Sequence, residues 1–171
     1  MVSYRVPLCP ATFISEPGFG SGRHEHHLML ERFPLVTRFT VPFADIDMMR
    51  HVNNVAYIRW AETMRAEYFA RVMGSDINGR HGMIQAGIEF KYERQLSYRE
   101  RIAVGCSIPR IGTKSFDFAY EVWSEDAGHR AAHGRTAMVA FDFAENCTIA
   151  VPDAWRDAIG AFQSGPQQVF S

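Results

Sequence analysis

Between Phe43 and Glu62 the chain reads FADIDMMRHVNNVAYIRWAE, with most of its polar groups in the first half. Asp45 and Asp47 come first, then His51, then Asn53 and Asn54, and an apolar-periodic run follows directly. Asparagine is a good helix N-cap, because its side-chain oxygen accepts from a first-turn N–H. The order therefore sets two carboxylates and an imidazole just ahead of a helix start. Such a terminus offers unpaired amide donors and the positive end of a macrodipole. Thioester hydrolysis needs that pairing of groups. Negative charge grows on the carbonyl oxygen in the transition state, and preorganised donors stabilise it. A carboxylate then attacks the carbonyl carbon or activates water. Asp47 is the first candidate for that carboxylate; the competing reading is an aspartate that only fixes a turn. Asp45 reads as structural.

The elements that must position these groups have distinct periods. Leu35, Thr37, Phe39, Val41 and Phe43 alternate with mostly polar neighbours, a half-buried strand with the two acids at its end. From about Asn54 to Met73 the spacing predicts a helix with the stripe Tyr57, Ala61, Met64, Tyr68, Val72. Ile58, Phe69 and Met73 widen it, so a helix apolar all round is expected, ended by Gly74. Four more alternating runs follow: Ile84 to Tyr92, Ile102 to Ile108, Phe116 to Val122 and Ala137 to Phe143. One polar face per run marks antiparallel strands. Ile111-Gly112 and Ala127-Gly128 signal turns, and a last short helix starts near Pro152. It carries Trp155, Ile159 and Phe162 on one side. The order of strand, long helix and four strands predicts an α+β layer, an antiparallel sheet of about five strands around one helix.

Composition bounds the rest. With 171 residues, 47% hydrophobic, 22% charged and net charge −1, the chain reads as one ordinary globular domain. That balance gives no reason to expect a nucleic-acid or membrane partner. Cys9, Cys106 and Cys147 form no CxxC pair and read as reduced thiols, and no apolar run suits a signal peptide. A cytoplasmic location is expected. Residues 1–34, broken by prolines and glycines, read as an irregular extension; 35–163 form the domain, and 164–171 a tail. His24, His26 and His27 cluster in the extension, and His129 and His133 lie four apart in a stretch read as turn and strand. Neither set is read as a metal site, and no cofactor is expected.

The pattern D-x-D-x(3)-H-V-N-N-x(2)-Y resembles the hotdog acyl-CoA thioesterases of the 4-hydroxybenzoyl-CoA thioesterase type and, beyond them, plant acyl-ACP thioesterases. The resemblance runs from about Leu35 to Phe143. It implies a hotdog fold, with the sheet wrapped around the helix, and hydrolysis of an acyl-CoA or acyl-ACP thioester. By the family pattern Asp47 is the nucleophile or general base, and the oxyanion donor is a first-turn N–H near Asn54. Glu62 falls at the position of the family's helix acid, and the stretch RIGTKSF resembles its basic turn for CoA phosphates. The resemblance further implies a homodimer or a dimer of dimers. Many members carry glycine where this chain has Arg50, and the plant enzymes carry asparagine where it has Met49.

The candidate set is thus Asp47, His51, Asn54 and Glu62 for chemistry, with Asn53, Tyr57, Arg110, Lys114 and Arg135 for substrate. Each has a plainer reading. His51 could be a hydrogen-bonded core histidine, and Glu62 could pair with Arg59 or Arg65 at helical spacing. The three cations could be solvated surface charges. Cys106 alternates with core residues and reads as core. Two other functions fit the same fold: a hotdog hydratase or dehydratase pairing Asp47 with His51, and a non-catalytic acyl-CoA binder.

Overall fold

The structure, a computed structural model, describes residues 30–72 and 79–170. Strand β1 (Leu35–Thr40) is followed by a 3-10 turn at Phe43–Asp45 and by helix α1 (Asn54–Val72). Strands β2 (His81–Tyr92), β3 (Arg101–Ile111), β4 (Ser115–Ser124) and β5 (His129–Asp142) come next. A short β6 (Cys147–Thr148), helix α2 (Asp153–Ser164) and strand β7 (Gln168–Phe170) complete the order. The sheet runs β2-β5-β4-β3-β1-β7, with β6 added along β5. Its pairings are antiparallel except for β7, which lies parallel to β1.

The sheet has seven strands among the described residues, against an expectation of about five. The two additional strands hold two and three residues, too few to show an alternating period. One of them turns the expected C-terminal tail into a sheet strand. The first strand stops at Thr40 rather than Phe43. Pro42 lacks an N–H for the ladder, and the backbone from Phe43 winds into the 3-10 turn.

Helix α1 buries Ala56, Tyr57, Trp60, Ala61, Met64 and Tyr68. The expected stripe is there, but the helix is not apolar all round: Glu62 and Thr63 are exposed. It packs chiefly on β1, β3 and β4, and β2 stands off from it. For that reason Ile88, opposite the buried Thr136 on the inner face, is more than a third exposed, whereas Ile84 lies opposite Val139 on the outer face. The ladder between β2 and β5 also shifts register between Gln85 and Gly87. The helix end predicted at Met73 and Gly74 lies outside the described residues.

The core forms where α1 meets the inner face of β3 and β4. Tyr68 stands edge-on to Phe118 at 5.4 Å and to Phe162 of α2 at 4.9 Å. Phe116, Phe118, Tyr120, Met64 and Cys106 are fully enclosed there; burial of each large apolar side chain stabilises the fold by about 1.5–3 kcal/mol. On the outer face Leu30, Phe33, Val36 and Ala103 make a small second cluster. Gly105 permits it, since a Cβ there would lie 2.5 Å from the Phe33 ring. The rest of the expected extension, with Cys9 and the His24, His26, His27 cluster, lies outside the described residues. His129 and His133 both lie on β5.

Candidate functional site

Asp45 anchors the segment that leads into α1. It is only 6% exposed. One carboxylate oxygen pairs with Arg59, and the other accepts from Trp60 Nε1 at 2.9 Å. Its backbone carbonyl accepts the Asn53 N–H at 2.8 Å. These bonds fasten the loop to the first turns of the helix. Beyond it, Ile46 and Val52 bridge across a tight turn. The Asp47 N–H donates to the His51 carbonyl, and the Arg50 N–H donates to the Asp47 carbonyl, both at 3.0 Å. Arg50 holds φ at 64°, a left-handed conformation that glycine adopts without strain.

Asp47 sits half-buried on that turn. Its Oδ1 accepts the Met49 N–H at 2.8 Å, so the turn-fixing reading holds for one oxygen. Among the described residues the other oxygen has no hydrogen-bond partner. Asn53 caps the helix: its Oδ1 accepts the Val55 N–H, and its carbonyl the Ala56 N–H, each at 2.9 Å. The Asn54 N–H has no backbone acceptor among the described residues. It is the first-turn donor left open.

A cleft of about 190 Å³ opens beside this amide, lined by His51, Asn54, Tyr57, Tyr92, Glu93 and Arg94. Tyr92 donates from its hydroxyl to the Asn54 carbonyl at 3.3 Å. Burial raises the Tyr57 phenol well above its ordinary value, helped by Glu100 and Tyr92. Burial also raises Tyr92, against the hydrogen bond to Asn54. Both phenols stay protonated donors. The Glu93 carboxyl is held below its ordinary value, mainly by its hydrogen bond from Arg130, with burial opposing and His133 adding to the lowering. Arg130 donates to it at 2.7 and 3.2 Å. Arg94 donates its backbone N–H to the Ala131 carbonyl. Its guanidinium has no acidic partner among the described residues.

The candidates named from the sequence fall into three places. Asp47, His51, Asn53, Asn54 and Tyr57 gather around the helix start. Glu62 lies eight residues further, about 12 Å along the axis at 1.5 Å per residue. It is exposed, pairs with Arg65 at 3.6 Å and not with Arg59, and lines a second cleft of about 340 Å³. Arg110 and Arg135 meet on the buried Asp117, at 3.2 and 4.0 Å. Arg135 also approaches Glu89 at 3.9 Å, and Lys114 Nζ donates to the Thr148 carbonyl at 3.3 Å. Tyr92 and Arg94 were not singled out from the sequence. Tyr92 reads as the last residue of an alternating run, and Arg94 as part of a polar connection.

A family model described as the thioesterase-like superfamily matches residues 41–159. The chain belongs to the thioesterase-like superfamily. The match takes in the whole of the Asp45–Asn54 loop, α1 and strands β2 to β6. No curated protein matches the chain. Among solved structures, a thioesterase of Thermus thermophilus, complexed with coenzyme A and zinc, is 28% identical, with a TM-score of 0.70. That alignment covers 80% of this chain and 98% of the Thermus one. A predicted thioesterase of Bacillus stearothermophilus is 27% identical, with a TM-score of 0.67, over 75% of this chain and 95% of that one. A 1,4-dihydroxy-2-naphthoyl-CoA thioesterase of Synechocystis shares the fold, at 17% identity and a TM-score of 0.66, over 73% of this chain and 94% of its own. These relatives carry the α+β hotdog architecture of the superfamily, and this chain shares it. No helix among the described residues is long and apolar enough to cross a membrane.

Proposed function

We propose that the protein hydrolyses an acyl-CoA thioester to a free acid and a thiol, with Asp47 as its catalytic carboxylate. One observation carries the reading. An unpaired first-turn amide, Asn54 N–H, belongs to a residue that lines the cleft, and the turn just before it holds Asp47, which keeps one unpartnered oxygen but is not itself a lining residue. The thioester carbonyl oxygen accepts from that amide, and the positive end of α1 adds to the stabilisation of the developing charge. Asp47 attacks the carbonyl carbon or takes a proton from the attacking water, and the thiolate leaves. His51, on the cleft wall, orients water or substrate. Asn53 holds the amides in register. The coenzyme A bound to the Thermus relative supports CoA as the carrier; an acyl carrier protein offers the same thioester. Arg94, on the wall itself, is placed for an anionic carrier, and Arg110, Lys114 and Arg135 remain exposed cations for its phosphates. The reaction calls on no cofactor.

The same reading extends to assembly. β2 is a twelve-residue strand at the sheet edge, paired only with β5 among the described residues. Such an edge is a template for a second strand, and we assign it to a homodimer contact, with a dimer of dimers as the larger form. A cytoplasmic location fits the free thiols of Cys106 and Cys147.

Asp47→Asn is the direct test. It removes the ionised carboxylate and keeps an oxygen for the Met49 N–H, so folding persists and turnover falls by about a hundredfold or more. Hydrolysis within a few-fold of the parent would refute the assignment. Single-turnover hydrolysis in labelled water separates the two routes. Label in the Asp47 carboxylate marks nucleophilic attack, and label only in the product marks a general base.

A further inference from the structure

Two segments stand side by side at the end of the fold that holds the helix start. One runs from Val41 to Asn53, and the other from Glu93 to Glu100. Three backbone bonds join them. Val41 donates its N–H to the Glu100 carbonyl at 2.9 Å, Arg99 to the Val41 carbonyl at 3.1 Å, and Val52 to the Leu96 carbonyl at 3.0 Å. The Phe43 and Tyr98 rings also meet edge to face at 5.8 Å. The two segments therefore move and present themselves as one rim, and both contribute residues to the cleft at Asn54.

That rim is apolar where loops are ordinarily polar. Met48 is 98% exposed, Met49 76% and Phe43 74%, and the neighbouring Val55 and Tyr98 are about half exposed. One such side chain needs no explanation, but a group of them marks an interaction site. The rim is also cationic. Arg50 and Arg99 are exposed, and both hold φ at 64°, the left-handed conformation that glycine adopts without strain. Arg99 lies over the Tyr98 ring at 5.2 Å. Neither arginine has a carboxylate partner among the described residues. The nearby acids are engaged elsewhere: Asp45 with Arg59 and Trp60, Glu93 with Arg130, and Glu100 with the Ser97 N–H and the Ser124 hydroxyl. Asp47 alone among these acids keeps an open oxygen. Two cations thus occupy backbone positions better suited to glycine, beside bare methionines, with nothing in the fold to neutralise them.

The charges and the shape of the rim select its occupant. A second copy joined about a two-fold axis centred here would set Arg50 and Arg99 against their own counterparts, and like charges across a contact oppose it. A protein partner must supply pockets that fit each projecting side chain. A bilayer surface needs no such fit. Its acyl boundary takes up methionine and phenylalanine singly, tyrosine sits at the headgroup level, and anionic headgroups attract arginine.

We propose that this rim docks the protein on an anionic phospholipid surface. Met48, Met49 and Phe43 enter the acyl boundary, Tyr98 lies among the headgroups, and Arg50 and Arg99 meet their phosphates. The net charge of −1 gives no sign of this, because the unpaired arginines are gathered locally. The protein lies on the bilayer and does not span it. The docking does not depend on the thioesterase reading. Taken with that reading, it brings the cleft to the layer in which acyl amphiphiles collect.

The test is flotation of the full chain with two kinds of vesicle, phosphatidylcholine alone and phosphatidylcholine with about one third phosphatidylglycerol. The parent should bind the anionic vesicles at least about tenfold more tightly, and less tightly in high salt. Arg50→Gly with Arg99→Gly should weaken that binding by about tenfold or more, and glycine suits both backbone positions, so the fold persists. Met48→Ser with Met49→Ser should weaken it by a similar factor. Lys114→Ala removes a cation beyond the other end of β3 and should bind as the parent does. Circular dichroism confirms that each variant is folded. Equal binding to both vesicles overturns the inference, as does parent-like binding by both double variants. A loss in Lys114→Ala as large as that in the arginine variant overturns it too, since net charge alone would then be at work. A parent that ignores anionic vesicles refutes it outright. In that event, loss of self-association in the Met48, Met49 variant assigns the rim to a second copy, and retention of an acidic acyl carrier protein assigns it to a protein carrier.

Discussion

Replacing Asp45 by alanine separates the acid that holds the loop from the acid that reacts. The substitution leaves Trp60 Nε1, on a side chain only 9% exposed, without its acceptor. An orphaned buried donor costs about 1–3 kcal/mol. The ion pair with Arg59 is also lost, but the Arg59 side chain is 56% exposed. Solvent screens that pair, so its loss adds about 0.5–1 kcal/mol. The backbone bond from Asn53 to the Asp45 carbonyl survives, because it does not involve the side chain. The sum is about 1.5–4 kcal/mol. With an m-value of about 2 kcal/mol/M, the urea midpoint falls by about 0.8–2 M. Asp45→Asn keeps an oxygen for Trp60 and loses only the charge, so its midpoint falls by about 0.5 M. Circular dichroism at one fixed protein concentration reads both, since assembly would otherwise move the midpoint. A fall below about 0.3 M for Asp45→Ala would refute the reasoning. Equal falls for the two variants would show that the Trp60 hydrogen bond contributes nothing.

Three further outcomes follow from the same geometry. Asn53→Ala removes the cap on Val55 N–H and should cost about 1 kcal/mol in urea titration, with activity falling further than stability as the first turn frays. The Glu93 carboxyl is held low by Arg130, so it binds protons less readily folded than unfolded. Its contribution is present above the ordinary carboxylate range and is lost as pH falls through the lowered value; Glu93→Gln should flatten the acid side of the stability profile. Burial raises the Cys106 thiol well above its ordinary value, against the opposing charge of Arg65, whereas Cys147 is exposed. Of these two, iodoacetamide should label Cys147 in the native protein and reach Cys106 only in denaturant, read by peptide mass.

The helix and the long strands were legible because period is a local property. Tyr57, Ala61, Met64 and Tyr68 announce a buried stripe wherever the helix lies. β7 was not legible: three residues carry no period, and their pairing depends on β1, more than a hundred positions away. Exposure of Ile84 and Ile88 was hidden for related reasons: the register shift between Gln85 and Gly87 puts Ile84 on the outer face, and alternation does not say whether anything covers the inner face at Ile88. At the site, the residues around the helix start were legible as a contiguous motif. The separation of Glu62 from them follows from helical rise alone, whereas the meeting of Arg110 and Arg135 on Asp117 depends on which strands pair. Arg94 and Tyr92 reach the cleft only because β2 folds back beside the start of α1. The left-handed Arg50 keeps the backbone shape that glycine gives many relatives and adds a cation to it.

β7 pairs with three of the six residues of β1, and each stretch of edge it leaves on that margin is three residues long. The other margin offers twelve. Two copies that joined through their long margins would have only the short ones left outside, too brief to recruit a third copy by strand addition. In such a homodimer, growth along that direction would stop at two, and β7 would act as a guard against ribbons of strand-paired copies.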